Sequence, residues 1–171
     1  MFAKFRFVLL ALLLVTLVGC SGVAAGVVDQ VEPVDSTNLV RSMQWVNGRA
    51  TGPVYSVEMT VPESWVDSMV TRTRGNTVAF MYPQANGEMG IVFEVQALSE
   101  RQYWQQVGSY PGLWVDIANK VNTYFVYQVP IFAPESGMPA ELLDGFREEV
   151  SAVVRSFSAN QVQVGAALYQ P

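Results

Sequence analysis

The sequence predicts an α+β domain, a mostly antiparallel β-sheet of about six strands packed with two main helices. Short runs that alternate apolar with polar residues recur between turn residues from about residue 40 onward. A Ser-x-x-Gln box at Ser99 and Gln102 opens a short helix in mid-chain. Near the C-terminal end, Leu142, Leu143, Phe146, Val150, Val153, Val154 and Phe157 fall at spacings of three and four, the stripe of an amphipathic helix.

Taken in order, Tyr55, Val57, Met59 and Val61 alternate with Ser56, Glu58 and Thr60, and Pro62 ends that strand. Val66 to Arg74 and Thr77 to Tyr82 flank Gly75-Asn76, a two-residue hairpin turn. Pro83 and Asn86-Gly87 lead into a strand in which Ile91, Phe93, Val95 and Ala97 share a face, opposite Val92, Glu94 and Gln96. The helix opened by Ser99 offers Tyr103, Trp104 and Val107 as apolar contacts. Leu113 to Ala118 and Thr123 to Val129 pair across a loop at Asn119-Lys120. Pro130, Pro134, Gly137 and Pro139 mark an extended connection, and Pro139 sits at the first turn of the final helix. The predicted order is β-β-β-β-α-β-β-α.

Upstream of the domain, Lys4 and Arg6 precede an apolar run from Phe7 to Val18 broken only by Thr16. A basic start and an apolar stretch this short describe a secretory signal peptide, because a spanning helix needs about 20 residues. The run ends in Leu17-Val18-Gly19-Cys20, which resembles the lipobox of bacterial lipoproteins. That resemblance implies a diacylglycerol on the Cys20 thiol and cleavage after Gly19. Two other readings stay open: a free cysteine behind an uncleaved anchor, and a conventional signal peptide cleaved near Ala24-Ala25. The divisions expected are a signal peptide at 1–19, a lipidated N-terminus and tether at 20–37, one α+β domain at 38–158, and a tail or added edge strand at 159–171. The tether carries only acidic charges and can reach about 50 Å. Removing residues 1–19 leaves 152 residues with a net charge of −7.

A second resemblance covers about residues 53–158. Tyr55-Ser56-Val57 followed by Val61-Pro62-Glu63-Ser64-Trp65 is similar to the opening of PsbP-like domains. The hairpin, the Phe93 strand, the Trp104 helix, the Tyr124–Tyr127 strand and the Ser156-Phe157 ending follow the same plan. The resemblance implies an α/β/α sandwich used for binding or assembly, and it carries over no catalytic residue.

Composition excludes several chemistries. With no histidine there is no Ser-His-Asp or Cys-His site and no histidine proton shuttle, and one cysteine allows neither an internal disulfide nor a thiolate zinc cage. Ten basic residues against fifteen acidic ones exclude nucleic acid as a partner. Among the acids, Glu148-Glu149 diverge around a helix and read as a solvated face. Glu94 and Asp116 lie in strands, and a glycosidase-like pair there depends on a separation that sequence does not show. No Asp-rich calcium loop is present, and Lys120, the sole lysine after the leader, reads as a surface residue in a turn. Trp45, Trp65, Trp104, Trp114, Tyr110, Tyr124, Phe125 and Tyr127 serve either the core or an aromatic binding surface.

The expectation is therefore a lipid-anchored lipoprotein of the bacterial cell envelope, exported to the outer face of a membrane. It binds an envelope protein or an apolar small ligand and is not an enzyme; no cofactor, metal or catalytic residue is assigned, and Cys20 is the one assigned site. The alternatives are an envelope hydrolase using carboxylates or a lone Ser or Tyr, and a passive structural surface lipoprotein.

Overall fold

The computed structural model describes residues 29–109, 112–131 and 133–162. Its elements are β1 (Asp29–Pro33), β2 (Asn38–Met43), β3 (Val46–Asn47), β4 (Ala50–Thr51), β5 (Tyr55–Thr60), a 3₁₀ turn (Glu63–Trp65), β6 (Val70–Arg74), β7 (Thr77–Pro83), β8 (Met89–Leu98), α1 (Glu100–Ser109), β9 (Val115–Lys120), β10 (Thr123–Gln128), α2 (Ala133–Ser136), α3 (Ala140–Arg155) and β11 (Ser158–Gln161). The fold is α+β and its strand pairs are antiparallel. A six-stranded sheet runs β1-β6-β7-β8-β10-β9, a smaller sheet runs β11-β5-β2, and β3-β4 form a separate hairpin.

The alternation in Tyr55, Val57 and Met59 buries all three, but in the smaller sheet and not in the main one. That sheet and α3 cover one face of the main sheet. Leu143, Val150 and Val153 on α3 are buried against it, as the stripe predicts. At the centre lies Trp65, fully buried, with ring centroids 6.0 Å from Phe80, 6.1 Å from Phe93 and 6.0 Å from Phe146. Phe80 and Phe93 stack 4.2 Å apart across β7 and β8. The indole N–H of Trp65 donates to Glu149 of α3. Glu149 is therefore a half-buried acceptor, in contrast to the solvated role expected of it. At Gly90, any Cβ would overlap the buried Met138 side chain that packs there.

Several boundaries differ from expectation. Residues 29–37 are not tether: Asp29–Pro33 is an edge strand of the main sheet, and Val34 is buried. Its charges have partners, since Glu32 pairs with Arg41 at 3.1 Å and Asp29 with Arg72. Arg41 also donates to Thr71 Oγ1 at 2.8 and 3.0 Å, tying β2 to β6. β2 itself adds a strand ahead of the predicted first one. The arm expected from Val66 starts only at Val70, because Asp67 turns the chain with φ +59°. The Gly75-Asn76 hairpin forms with Arg74 opposite Thr77. The β9–β10 turn falls at Val121-Asn122, two residues beyond the predicted loop, with Asn122 at φ +56°. A short helix, α2, stands within the expected extended connection. β11 adds the edge strand left open for the C-terminal segment, starting at Ser158.

The capping box at the start of α1 forms in both directions. Ser99 N–H donates to Gln102 Oε1 at 3.0 Å, and Gln102 N–H donates to Ser99 Oγ at 3.3 Å.

Trp65→Ala removes an indole that joins the main sheet to α3 and leaves Glu149 facing a void. Urea denaturation is expected to show a loss of about 3–5 kcal/mol, with Phe80→Leu costing clearly less.

Candidate functional site

Whether the main sheet offers a site depends on what covers its second face. α1 crosses that face only at the β8–β10–β9 side, where Tyr103 packs with the buried Leu98 and Val126. Tyr103 stacks on Tyr124 at 4.3 Å, and its hydroxyl donates to Asp116 Oδ2 at 3.0 Å. Over β6, β7 and the near half of β8 no described element lies on this face. A shallow groove of about 220 Å³ results.

Strand register builds the groove in rows. Arg72, Ala79 and Glu94 stand side by side, as do Arg74, Thr77 and Gln96. Met81, flanked by Val70 and Ile91, completes the floor. Small Ala79 on β7 makes the trough, and the long side chains of β6 and β8 make its banks. One bank is cationic and the other carries a carboxylate.

A register shift between Phe80 and Met81 produces one departure from the predicted alternation. Phe93, Val95 and Ala97 face the core as expected, but past the shift Val92 is buried with them. Ile91 lines the groove on the other face.

The polar groups are unevenly engaged. Arg72 holds Asp29 through Nε–Oδ1 at 2.7 Å and Nη2–Oδ2 at 2.5 Å. That hydrogen bond, ahead of charge attraction, keeps the Asp29 carboxyl below its ordinary range and raises Arg72. Glu94 accepts from Gln128 Nε2 at 3.0 Å. Arg74 has no hydrogen-bond or ion-pair partner among the described residues. At the α1 edge, Gln106 Nε2 donates to Gln96 Oε1 at 3.4 Å, and the enclosed Gln106 Oε1 has no donor among the described residues.

Glu94 and Asp116 share this face without forming a pair. β10 runs between them and their positions are offset along the strands, which sets their Cα atoms about 12 Å apart. Asp116 is occupied by Tyr103 and Glu94 by Gln128. Lys120 ends β9, exposed, and is not in the turn. Among the described residues no group of three or more acidic or cysteine side chains is placed to hold a metal.

The aromatic residues divide as packing requires. Trp65 and Phe125 are fully buried, Tyr127 packs on the main core, and Trp114 and Tyr124 pack beneath α1. Half-buried Trp45 donates its N–H to the Asn122 carbonyl at 2.7 Å. Trp104 does not join the apolar contacts of α1 as expected; it is 60 % exposed and meets only the edge of Tyr103. Tyr110 and Cys20 lie outside the described residues. No helix among the described residues is long and apolar enough to cross a membrane.

Sequence reasoning singled out Glu94 but missed Arg72, Arg74, Ala79 and Met81. The available signal was their alternation: Arg72 and Arg74, then Ala79 and Met81, occupy the positions opposite the core residues of β6 and β7. Set against known proteins, the chain matches no family model, no curated protein and no solved structure.

The Tyr103–Asp116 hydrogen bond, and after it desolvation, raises the Tyr103 pKa above the ordinary tyrosine value. Its stabilising contribution is therefore complete below about pH 10 and is lost as pH climbs through the raised value. Tyr103→Phe is expected to cost about 1 kcal/mol at neutral pH. In thermal denaturation across pH, the wild type is expected to keep that advantage up to about pH 10 and lose it above.

Proposed function

We propose that the protein is an exported, lipid-anchored lipoprotein of the bacterial cell envelope, and that its domain acts by binding. The observation carrying the binding half of this reading is the uncovered groove beside α1. Its floor is formed by Ile91 with Ala79 and Met81, which lie nearly buried at its base, while Arg72 and Glu94 on its banks fix a partner's orientation. The partner is an envelope protein segment or a small ligand with an apolar body and polar ends. A hydrolase is less well supported, because Glu94 and Asp116 are separated by β10 and each is held by a neighbour.

The anchoring half rests on the sequence Leu17-Val18-Gly19-Cys20 after a basic and apolar leader. Two acyl chains hold a protein on a bilayer where one is marginal.

Two measurements test the reading. Palmitate labelling in a bacterial host is expected to mark the protein, and Cys20→Ala to abolish the label; an unlabelled wild-type protein sinks the anchor. Affinity capture from detergent-solubilised membranes, followed by mass spectrometry for protein and small molecules, is expected to recover a partner with the wild-type chain. Ala79→Trp, which fills the trough, and Glu94→Arg, which reverses one bank, are each expected to reduce that recovery at least tenfold with folding intact. Recovery unchanged in both variants would place the binding surface elsewhere.

A further inference from the structure

One end of the domain differs from the rest in charge, in exposure and in what enters it. Asp29 opposes Arg74, one residue before the Gly75-Asn76 turn, so the chain arriving from Cys20 joins the fold at this end. The Val121-Asn122 turn lies there too: its carbonyls accept from Tyr55 Oη at 3.3 Å and from Trp45 Nε1 at 2.7 Å. The β3–β4 hairpin is tied to the same end through Gln102 Nε2 and the Val46 carbonyl at 2.8 Å. The Trp45 indole lies across Gly52, where any Cβ would overlap the ring. These loops are thus held in place by packing and hydrogen bonds.

Apolar and basic side chains are prominent among the exposed ones, beside the acid Glu100 and the polar Thr51, Asn119 and Asn122. Val121 is 75 % exposed, the highest value for any large hydrophobic residue described, and Val46 in β3 is also exposed. Around them stand Arg49 in the β3–β4 turn, Arg74, Lys120 and Arg101 in the first turn of α1. None of these four has a hydrogen-bond or ion-pair partner among the described residues, and the same holds of Arg155 at the end of α3, whereas Arg41, Arg72 and Arg147 each hold a carboxylate; the charge of Arg74 also acts on Asp29. Eight basic residues follow the leader, and half of them gather at this end of an acidic chain. At the opposite ends of the strands stand Glu63, Asp67 and Glu88.

The chain between Cys20 and the fold is also shorter than a tether over 20–37 would be. β1 is described from Asp29, so no more than residues 21–28 separate Cys20 from it, eight residues that include no charged side chain and can span at most about 30 Å. The acids once assigned to the tether, Asp29 and Glu32, are paired within the fold.

We propose that this end is a membrane-facing surface. The domain rests on anionic lipid headgroups of the bilayer that carries its anchor, with Arg49, Arg74, Arg101 and Lys120 against the phosphates and Val121 at the interface. A basic side chain near such a surface is attracted with about 1 kcal/mol, and the tie at Cys20 confines the patch to the surface where it acts. The acidic end is repelled outward, the strands stand roughly along the membrane normal, and the groove along β7 opens sideways. This orientation rests on the reading of Cys20 as a lipid anchor.

The test uses the full lipidated chain, reconstituted into phosphatidylcholine vesicles with or without phosphatidylglycerol. A polarity-sensitive fluorophore is attached at Val121→Cys or, for comparison, at Glu88→Cys. The expected result is blue-shifted emission and quenching by nitroxide lipid at position 121, strong only with phosphatidylglycerol, and none at position 88. Replacing Arg49, Arg74, Arg101 and Lys120 by Gln is expected to bring quenching at 121 down to the level of neutral vesicles, with thermal unfolding confirming the fold. Flotation separates the two possible failures. A chain that floats with vesicles but shows equal or no quenching at the two positions overturns the orientation while leaving the anchor standing. A chain that does not float with either vesicle overturns the anchor and the orientation with it.

Discussion

Trp65 and its partners are the constraint on which the remaining packing depends. The chain leaves the smaller sheet at Thr60 and enters the main sheet at Val70, and Trp65 lies between. Pro62 and the 3₁₀ turn drive the indole inward, where it meets Phe80 and Phe93 of the main sheet and Phe146 of α3. An indole that deep needs an acceptor for its N–H, and Glu149 supplies one from α3. One side chain thereby fixes the crossover between sheets and the axial position of the long helix. Apolar contact alone would let α3 slide by a turn; the polar contact between Trp65 and Glu149 opposes that, together with Arg147 on the Pro130 and Ile131 carbonyls and Ser156 on the Thr60 N–H.

Features encoded by neighbours in sequence were legible beforehand. The α3 stripe, the Gly75-Asn76 turn and the Ser99–Gln102 box are all local patterns, and all three form. Features that depend on distant partners were not. β1 has no apolar periodicity of its own, and it is held by backbone pairing to β6, by the ion pair of Asp29 with the distant Arg72 and by that of Glu32 with Arg41 in the next strand. Ile91 and Val92 exchange faces because of an irregularity between β7 and β8, which neither strand's own sequence marks. The acid Glu94 was visible as an off-core strand residue. The groove it borders was not, because its existence depends on how much of the sheet α1 covers.

The two faces of the main sheet are covered to different extents. One face is closed by α3 and the smaller sheet around an aromatic core. On the other, α1 is only ten residues long and spends its buried contacts on Leu98, Val126 and Tyr124. Side chains on the remaining half must tolerate water, and they do so by setting long polar residues around a small apolar floor. The small floor is nearly buried between those longer side chains.

The position of β1 at the sheet edge also has a mechanical meaning. Force transmitted along the chain that precedes the fold enters at Asp29, the first residue of an edge strand. A pull directed along β1 loads its five paired residues together, in shear, and the Asp29–Arg72 ion pair shares that load at the point of entry. Peeling from the other end would break the same bonds one at a time. The first described strand therefore has the geometry of a lap joint with β6.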